Sequence, residues 1–224
     1  MTLTLITYDW LPEFPRSFVR DMRVRWMLEE LGLPYQVETV PVHPKSAAHL
    51  EMQPFAQVPV IRDGKLTLFE SGAILMYLGE GTLLLPGPRR AEVTQWLFAA
   101  LNTIEVAVIR WVTMVLAERS PEFFGPAPSA EITAHARREL DTKLAALEQA
   151  VAGREWRAGA FSIADIAMVE VLRVPEAEGA LEGYPALTAY AERATARPAF
   201  SKAMADHMAH WQAADAARAA AGLA

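Results

Sequence analysis

Gln57-Val58-Pro59-Val60-Ile61-Arg62-Asp63-Gly64-Lys65-Leu66-Thr67-Leu68-Phe69-Glu70-Ser71-Gly72 decides how this chain folds. Val58–Ile61 and Lys65–Phe69 are short apolar, β-favouring runs, and Asp63-Gly64 between them is the pair that a two-residue turn with positive φ demands. The spacing predicts a β-hairpin. Its second strand runs into Glu70-Ser71-Gly72, after which Ala73–Leu78 takes up a helical pattern, so Ser71 stands at or beside a helix N-cap. That helix end offers free backbone N–H groups and a partial positive charge.

Two features of the stretch point beyond scaffolding. Pro59 brings no ladder donor to an early strand position, so either the strand is an edge there or the Val58–Pro59 bond is specialised, as a cis bond would be. Val58 is then open to pairing with something other than a strand. Ser71 can hold a carboxylate through its hydroxyl and N–H, and Glu70 can hold an ammonium group, which together suit the α-amino acid end of a ligand. On these residues alone the plainer reading stays open: Ser71 as an N-cap and Glu70 as a favourable first-turn charge.

Working outward, Thr2–Tyr8 mixes β-branched and aliphatic residues and reads as a strand buried on both faces. Val19–Leu31 has helical spacing, closed by Gly32 at C′ with Pro34 beyond, and Tyr35–Val40 reads as a second strand. A short helix is expected at Ser46–Met52. Strand, helix, strand, then hairpin and helix is the order of a thioredoxin-like α/β domain, assigned to residues 1–80.

Gly81-Thr82-Leu83-Leu84-Leu85-Pro86-Gly87-Pro88 is the natural linker, residues 81–88. Residues 89–224 read as an all-helical C-terminal domain. Helices are expected at Ala91–Glu118, Glu131–Val151, Ile163–Val174 (stopped by Pro175), Ala186–Ala196 and Ala199–Ala219. Phe161-Ser162-Ile163-Ala164-Asp165-Ile166 carries a capping box with aspartate at N3, and Phe161 is placed to staple against Ile166. Its role is in folding.

Composition narrows the function. With 224 residues and 52% hydrophobic content the chain can bury a proper core, and a net charge of −6 argues against general nucleic-acid or anionic-membrane binding. The absence of cysteine excludes disulfides, thiolate metal sites and a protein thiol nucleophile. No basic, apolar leader opens the chain, and its most hydrophobic segment, Trp96–Leu116, is interrupted by Asn102, Glu105 and Arg110, so a cytoplasmic protein is expected.

Gln57-Val58-Pro59, the Asp63-Gly64 hairpin and Phe69-Glu70-Ser71-Gly72-Ala73-Ile74 resemble the glutathione-binding half of the cytosolic glutathione S-transferases. The resemblance continues through Val24–Tyr35, through Val151–Gly159 with the capping box beyond it, and through Ala194–Phe200, so it spans nearly the whole chain. It is closest to a bacterial type without a catalytic cysteine, and it implies a homodimer that uses no metal. It implies that Val58, before a cis Pro59, pairs with the glutathione backbone, and that Glu70 and Ser71 grip its γ-glutamyl group. Gln57 and His43 then fall near the glycyl end, though His43 is equally a solvated loop histidine.

The chemistry this family performs is thiol activation. A free thiol titrates near about 8.5, so lowering its pKa by about 2 units takes roughly 2.7 kcal/mol, the size of one charge-assisted hydrogen bond plus a helix N-terminus. The family draws the donor from a tyrosine ending the first strand or a serine opening the first helix, here Tyr8 and Ser17. The usual serine position falls on Phe18 and the loop Asp9–Arg16 is longer than usual, so a backbone N–H near Phe18-Val19, Arg16 and Arg20 also remain candidates. By the same resemblance Asn102, Glu105, Ile109 and Thr113 line a pocket for a small hydrophobic electrophile. His207 and His210 share a helical spacing open to metal ligation, but no third ligand accompanies them. The implied activity is glutathione transfer; the alternatives are a glutathione-dependent isomerase, dehalogenase or peroxidase, or a non-catalytic glutathione-binding protein of this fold. Lack of cysteine disfavours the thiol-transferase types.

Overall fold

In the computed structural model, which describes residues 2–222, β1 (Leu3–Tyr8) is the inner strand expected from its composition: Leu3 through Thr7 are all buried. It pairs in parallel with β2 (Tyr35–Val40) and antiparallel with β3 (Val60–Asp63), which pairs with β4 (Leu66–Phe69), giving the order β2-β1-β3-β4. The parallel crossover is α1 (Asp21–Leu31), ended as expected by Gly32 in the left-handed conformation with φ 62°. A short α2 (Ala47–Met52) comes next, with Ser46 as its N-cap accepting the His49 N–H at 3.1 Å. α3 (Ser71–Gly79) leaves the end of β4. The thioredoxin-like order of residues 1–80 is therefore the observed one.

The hairpin turn lies one residue further on than the sequence places it. Asp63 pairs with Leu66, so Gly64 and Lys65 are the turn residues, and the positive φ of 60° falls on Gly64 as the first of them. That is the type II′ pattern, which needs glycine only there.

The second unit is helical: α4 (Arg90–Ala99), a π turn (Ala100–Ile104), α5 (Glu105–Arg119), a one-turn α6 (Pro121–Phe124), α7 (Ala130–Val151), α8 (Ile163–Ala177) and α9 (Pro185–Thr195). By length and composition Gly87–Arg119 could cross a bilayer, but here it packs against α7 and α8, burying Leu97, Val108, Trp111 and Leu116 among others. The capping box forms as read. The Ser162 N–H donates to Asp165 Oδ2 at 2.9 Å, and the same carboxylate accepts the Tyr190 hydroxyl at 2.7 Å. Phe161 packs edge-on against Trp156, ring centroids 4.9 Å apart. α8 does not stop at Pro175 but runs to Ala177. A proline in the final turn gives up only one helical bond, and its carbonyl here accepts the Ala180 N–H at 2.8 Å.

The last helix, α10 (Pro198–Ala220), departs from the expected division. The sequence places it in the helical domain of residues 89–224, whereas the chain from Ala196 onward groups with the unit that ends at Glu80, and Gly81–Thr195 stands as the other. The cause is visible along α1. Arg197 makes a two-pronged ion pair with Glu30 at 2.6 and 2.7 Å, Lys202 reaches Glu29 at 3.0 Å, and Phe200 packs edge-on against the fully buried Trp26.

Candidate active site

The site is built at the end of the sheet where β1, β3 and the start of α3 converge. Val58 lies outside the ladder: β3 begins at Val60, which pairs with Ile6 and Phe69, and among the described residues none of the main-chain bonds made by turns and loops involves Val58. The Val58–Pro59 bond is cis, one of the two arrangements the sequence left open for Pro59. The Val58 side chain is buried in an apolar cluster with Ile6, Val40 and Val60, against which Tyr8, Val19, Met52 and Phe69 pack. Val58 thus has a fixed side chain and an uncommitted backbone, the arrangement that accepts an extended peptide.

At the neighbouring helix end Glu70, not Ser71, occupies the N-cap position, with φ 69°. A glutamate in that region is costly for an L-residue, and such strain gathers at ligand-holding positions. Glu70 is exposed, Ser71 is the first helical residue and is buried, and the two point different chemistry at one place: an accessible carboxylate and a hydroxyl at the positive end of α3.

Nothing in the sequence singles out Arg23. From the buried face of α1 its Nη1 donates to Ser71 Oγ at 3.1 Å, bringing a full positive charge to the α3 N-terminus. No local signal marks it, since arginine at a helical position is commonly solvated. Lys45 is equally unmarked: its ammonium donates to the Ala56 carbonyl at 2.9 Å and lies 4.9 Å from the Tyr8 ring centroid, and burial pulls its pKa down. His49, fully buried, has Nε2 3.0 Å from the Gln57 carbonyl, so α2 fixes the peptide entering Val58. Gln53 accepts the Phe55 N–H and holds the turn between, while Gln57 and His43 are exposed, His43 preceding a second cis bond at Pro44.

The candidate thiol activators are arranged around a short 3₁₀ turn, Arg16–Phe18. Ser17 is half-buried in it, and Val19, just after it, packs on the Val58 cluster together with Tyr8. The hydroxyl of Tyr8 is pushed up in pKa by burial, a shift that Arg20 opposes, so Tyr8 is a protonated donor at neutral pH. The Phe18 N–H is taken by the Pro15 carbonyl at 3.0 Å, and the Val19 N–H by the Arg16 carbonyl at 3.4 Å, which weighs against a backbone activator there. Arg16 is not a solvated arginine, and its guanidinium is already engaged. It is buried with its guanidinium on the Leu11 carbonyl and on Asp215.

Residues 8–80 match the profile of the glutathione S-transferase N-terminal domain and residues 106–198 that of its C-terminal domain. Glutathione S-transferase 3 of Zea mays is 32% identical over 200 residues, 82% of this chain and 88% of that protein. The chain belongs to the glutathione S-transferase family. Its activity is accordingly that of a glutathione transferase. Among solved structures, a glutathione transferase of Burkholderia graminis with two glutathione molecules bound per subunit is 29% identical, with a TM-score of 0.74 over 91% of this chain and 87% of that one. Glutathione transferase F7 of Populus trichocarpa is 25% identical, with a TM-score of 0.77 over 92% and 99%.

The family's second-domain positions lie in the helical unit. Asn102 sits in the π turn and is exposed, as is Ile109, while Glu105 and Thr113 are half-buried and the Thr113 hydroxyl donates to the Ile109 carbonyl at 2.7 Å. Glu105, Ile109 and Thr113 follow the π turn on α5. His207 and His210 each face a main-chain carbonyl rather than each other across a metal: Nε2 of His207 is 2.6 Å from Arg16 O and Nε2 of His210 is 2.9 Å from Tyr8 O.

Proposed function

We propose that this glutathione transferase holds its co-substrate on Val58, Glu70 and Ser71 and activates the thiol from the Ser17 turn. The observation that carries the reading is Val58 itself, a backbone left out of the sheet ladder within one apolar cluster with Tyr8 and Val19. The residues fit the ligand. Val58 offers main-chain groups to the peptide, Ser71 and the α3 N-terminus with Arg23 behind it suit the γ-glutamyl carboxylate, and Glu70 suits the ammonium group. Bound glutathione supplies the sulfur nucleophile. Ser17 donates a hydrogen bond that favours the ionised sulfur, with Tyr8 as the neighbouring second donor, and Gln57 and His43 lie toward the glycyl end. The electrophile is a small hydrophobic molecule, received along Asn102, Glu105, Ile109 and Thr113. By family resemblance the protein works as a cytoplasmic homodimer in detoxification, and sedimentation at varied concentration tests the dimer.

The test of the chemistry is ultraviolet absorbance of the glutathione thiolate against pH at saturating protein. A thiol pKa depressed by a unit or more is the expected result. Glutathione that binds with an unshifted thiol would assign a carrier role, and no binding would overturn the reading of Val58, Glu70 and Ser71.

A further inference from the structure

The C-terminal helix α10 presents His207, His210, Trp211, Asp215 and Arg218 toward the loop between β1 and α1, with His207, Trp211, Asp215 and Arg218 following one another at helical spacing and His210 beside Trp211. At one end of that loop His210 Nε2 meets the Tyr8 carbonyl at 2.9 Å. At the other end His207 Nε2 meets the Arg16 carbonyl at 2.6 Å. The Trp211 indole N–H also lies 3.1 Å from that nitrogen. His207 is fully buried with Nδ1 3.5 Å from Asp21 Oδ2, and Asp21 is paired with Arg25 at 2.8 Å.

Between these anchors Asp215 gathers the loop. Its carboxylate accepts both terminal nitrogens of Arg16 at 2.6 Å and the Trp10 indole N–H at 2.8 Å, while Arg16 also donates to the Leu11 carbonyl at 2.9 and 2.7 Å. The guanidinium of Arg16 lies 5.9 Å from the ring centroids of both Trp10 and Trp211, and that of Arg218 lies 4.0 Å from Trp10. Arg16 is only 8% exposed at its side chain, and Asp215 supplies the carboxylate that pairs with it.

The consequence for the site comes from peptide geometry. The Arg16 carbonyl and the Ser17 N–H belong to one planar group, so pinning the carbonyl with His207 fixes the orientation of that N–H and the placement of the Ser17 Cα. Arg16 side chain and Arg16 carbonyl are both held by α10. The residue whose hydroxyl is to meet the sulfur is therefore positioned from the far end of the chain.

We propose that α10 is a clasp for the thiol-activating turn, in which His207 and Asp215 are positioning residues that set Ser17 for the reaction. The proposal rests on the reading of the Ser17 turn as activator. Among the described residues no hydrogen bond or ion pair joins His207 or Asp215 to Val58, Glu70 or Ser71, so the clasp governs turnover and leaves the affinity for glutathione in place. A displacement of about 1 Å at a reacting group can cost up to about a hundredfold in rate.

Asp215→Asn in the full-length protein, compared with Ser17→Ala, tests it. Expected for Asp215→Asn are a rise of a unit or more in the bound thiol pKa and a fall of about tenfold in kcat, with the glutathione Kd within about twofold of wild type. Asp215→Glu should restore most of the rate. If Ser17→Ala lowers turnover and Asp215→Asn leaves both turnover and thiol pKa unchanged, the clasp is wrong; if Ser17→Ala itself is silent, it is the activator reading that fails. Loss of kcat with a parallel loss of glutathione affinity, or no recovery with glutamate, would reduce Asp215 to a folding role and overturn the proposal. Should Asp215→Asn not fold, Trp10→Phe removes another bond to the same carboxylate from a partly exposed side chain, and is judged by the same split between kcat and Kd.

Discussion

Arg23 Nη1 donates to Ser71 Oγ at 3.1 Å, with both side chains buried. A serine oxygen that accepts from a guanidinium still has its own hydrogen to give, and Ser71 stands where the α3 N-terminus is already positive. The pair gives the helix start the charge and hydroxyl that the proposed γ-glutamyl carboxylate would need.

Ser71→Ala should therefore weaken glutathione binding by about 1–3 kcal/mol, the cost of losing a charge-assisted bond. Calorimetric titration measures it. An unchanged affinity would take Ser71 out of the site. Arg23→Met should weaken binding in the same direction, since the positive charge behind the serine goes with it.

Ser17→Ala should raise the pKa of the bound thiol by about a unit or more and lower kcat/KM at neutral pH by about tenfold, with little change in Kd. Tyr8→Phe should leave the thiol pKa near that of the wild type. Burial raises the Tyr8 pKa, so its hydroxyl remains protonated and can donate if Ser17 does not. Reversal of the two outcomes in thiolate absorbance would transfer the role to Tyr8.

Acid should loosen the clasp from within. Burial alone would raise the Asp21 pKa, but His207 and Arg25 beside it hold it down at about 2, from an ordinary 3.8. A carboxyl whose folded pKa is depressed contributes stability that is complete above its unfolded pKa and is lost as pH falls through the folded value. The window is thus pH 3.8 down to about 2, and the contribution is roughly 2 kcal/mol. Urea unfolding at stepped pH should show a decline through that window that Asp21→Asn, already destabilised at neutral pH, no longer shows.

Asp165→Ala should destabilise the protein by about 3 kcal/mol, because it strands the Ser162 N–H, the Ser162 hydroxyl and the Tyr190 hydroxyl together. Tyr190→Phe, which removes only one partner, should cost about 1 kcal/mol. Both are read from denaturant midpoints. Glutathione affinity in folded Tyr190→Phe should match the wild type, since these residues belong to the helical unit.

Much of this is legible in the chain because it is locally determined. Gly64 supplies the positive φ of the hairpin turn, Gly32 ends α1, Ser162 and Asp165 start α8, and Val58-Pro59 announces a break in the ladder; each acts within a few residues. The same locality sets the errors. The turn is misplaced by one residue because Asp63 can serve equally as turn or as strand pair. Pro175 reads as a stop, yet α8 accommodates it because the helix ends within one turn of it.

What the sequence by itself determined is the order of the elements, the α/β and helical character of the two parts, and the presence of Val58, Glu70 and Ser71 on one hairpin and helix start. Only the tertiary structure decided that α10 docks on α1 as part of the first unit, that Arg23 backs Ser71, and that His207 and His210 meet the carbonyls of Arg16 and Tyr8. The reason is physical. Backbone propensity, capping and turn chemistry depend on neighbours in the chain, whereas a histidine pair or an arginine at helical spacing has the same local signature whether it faces water, a metal or a carbonyl two hundred residues away, and packing alone selects among them.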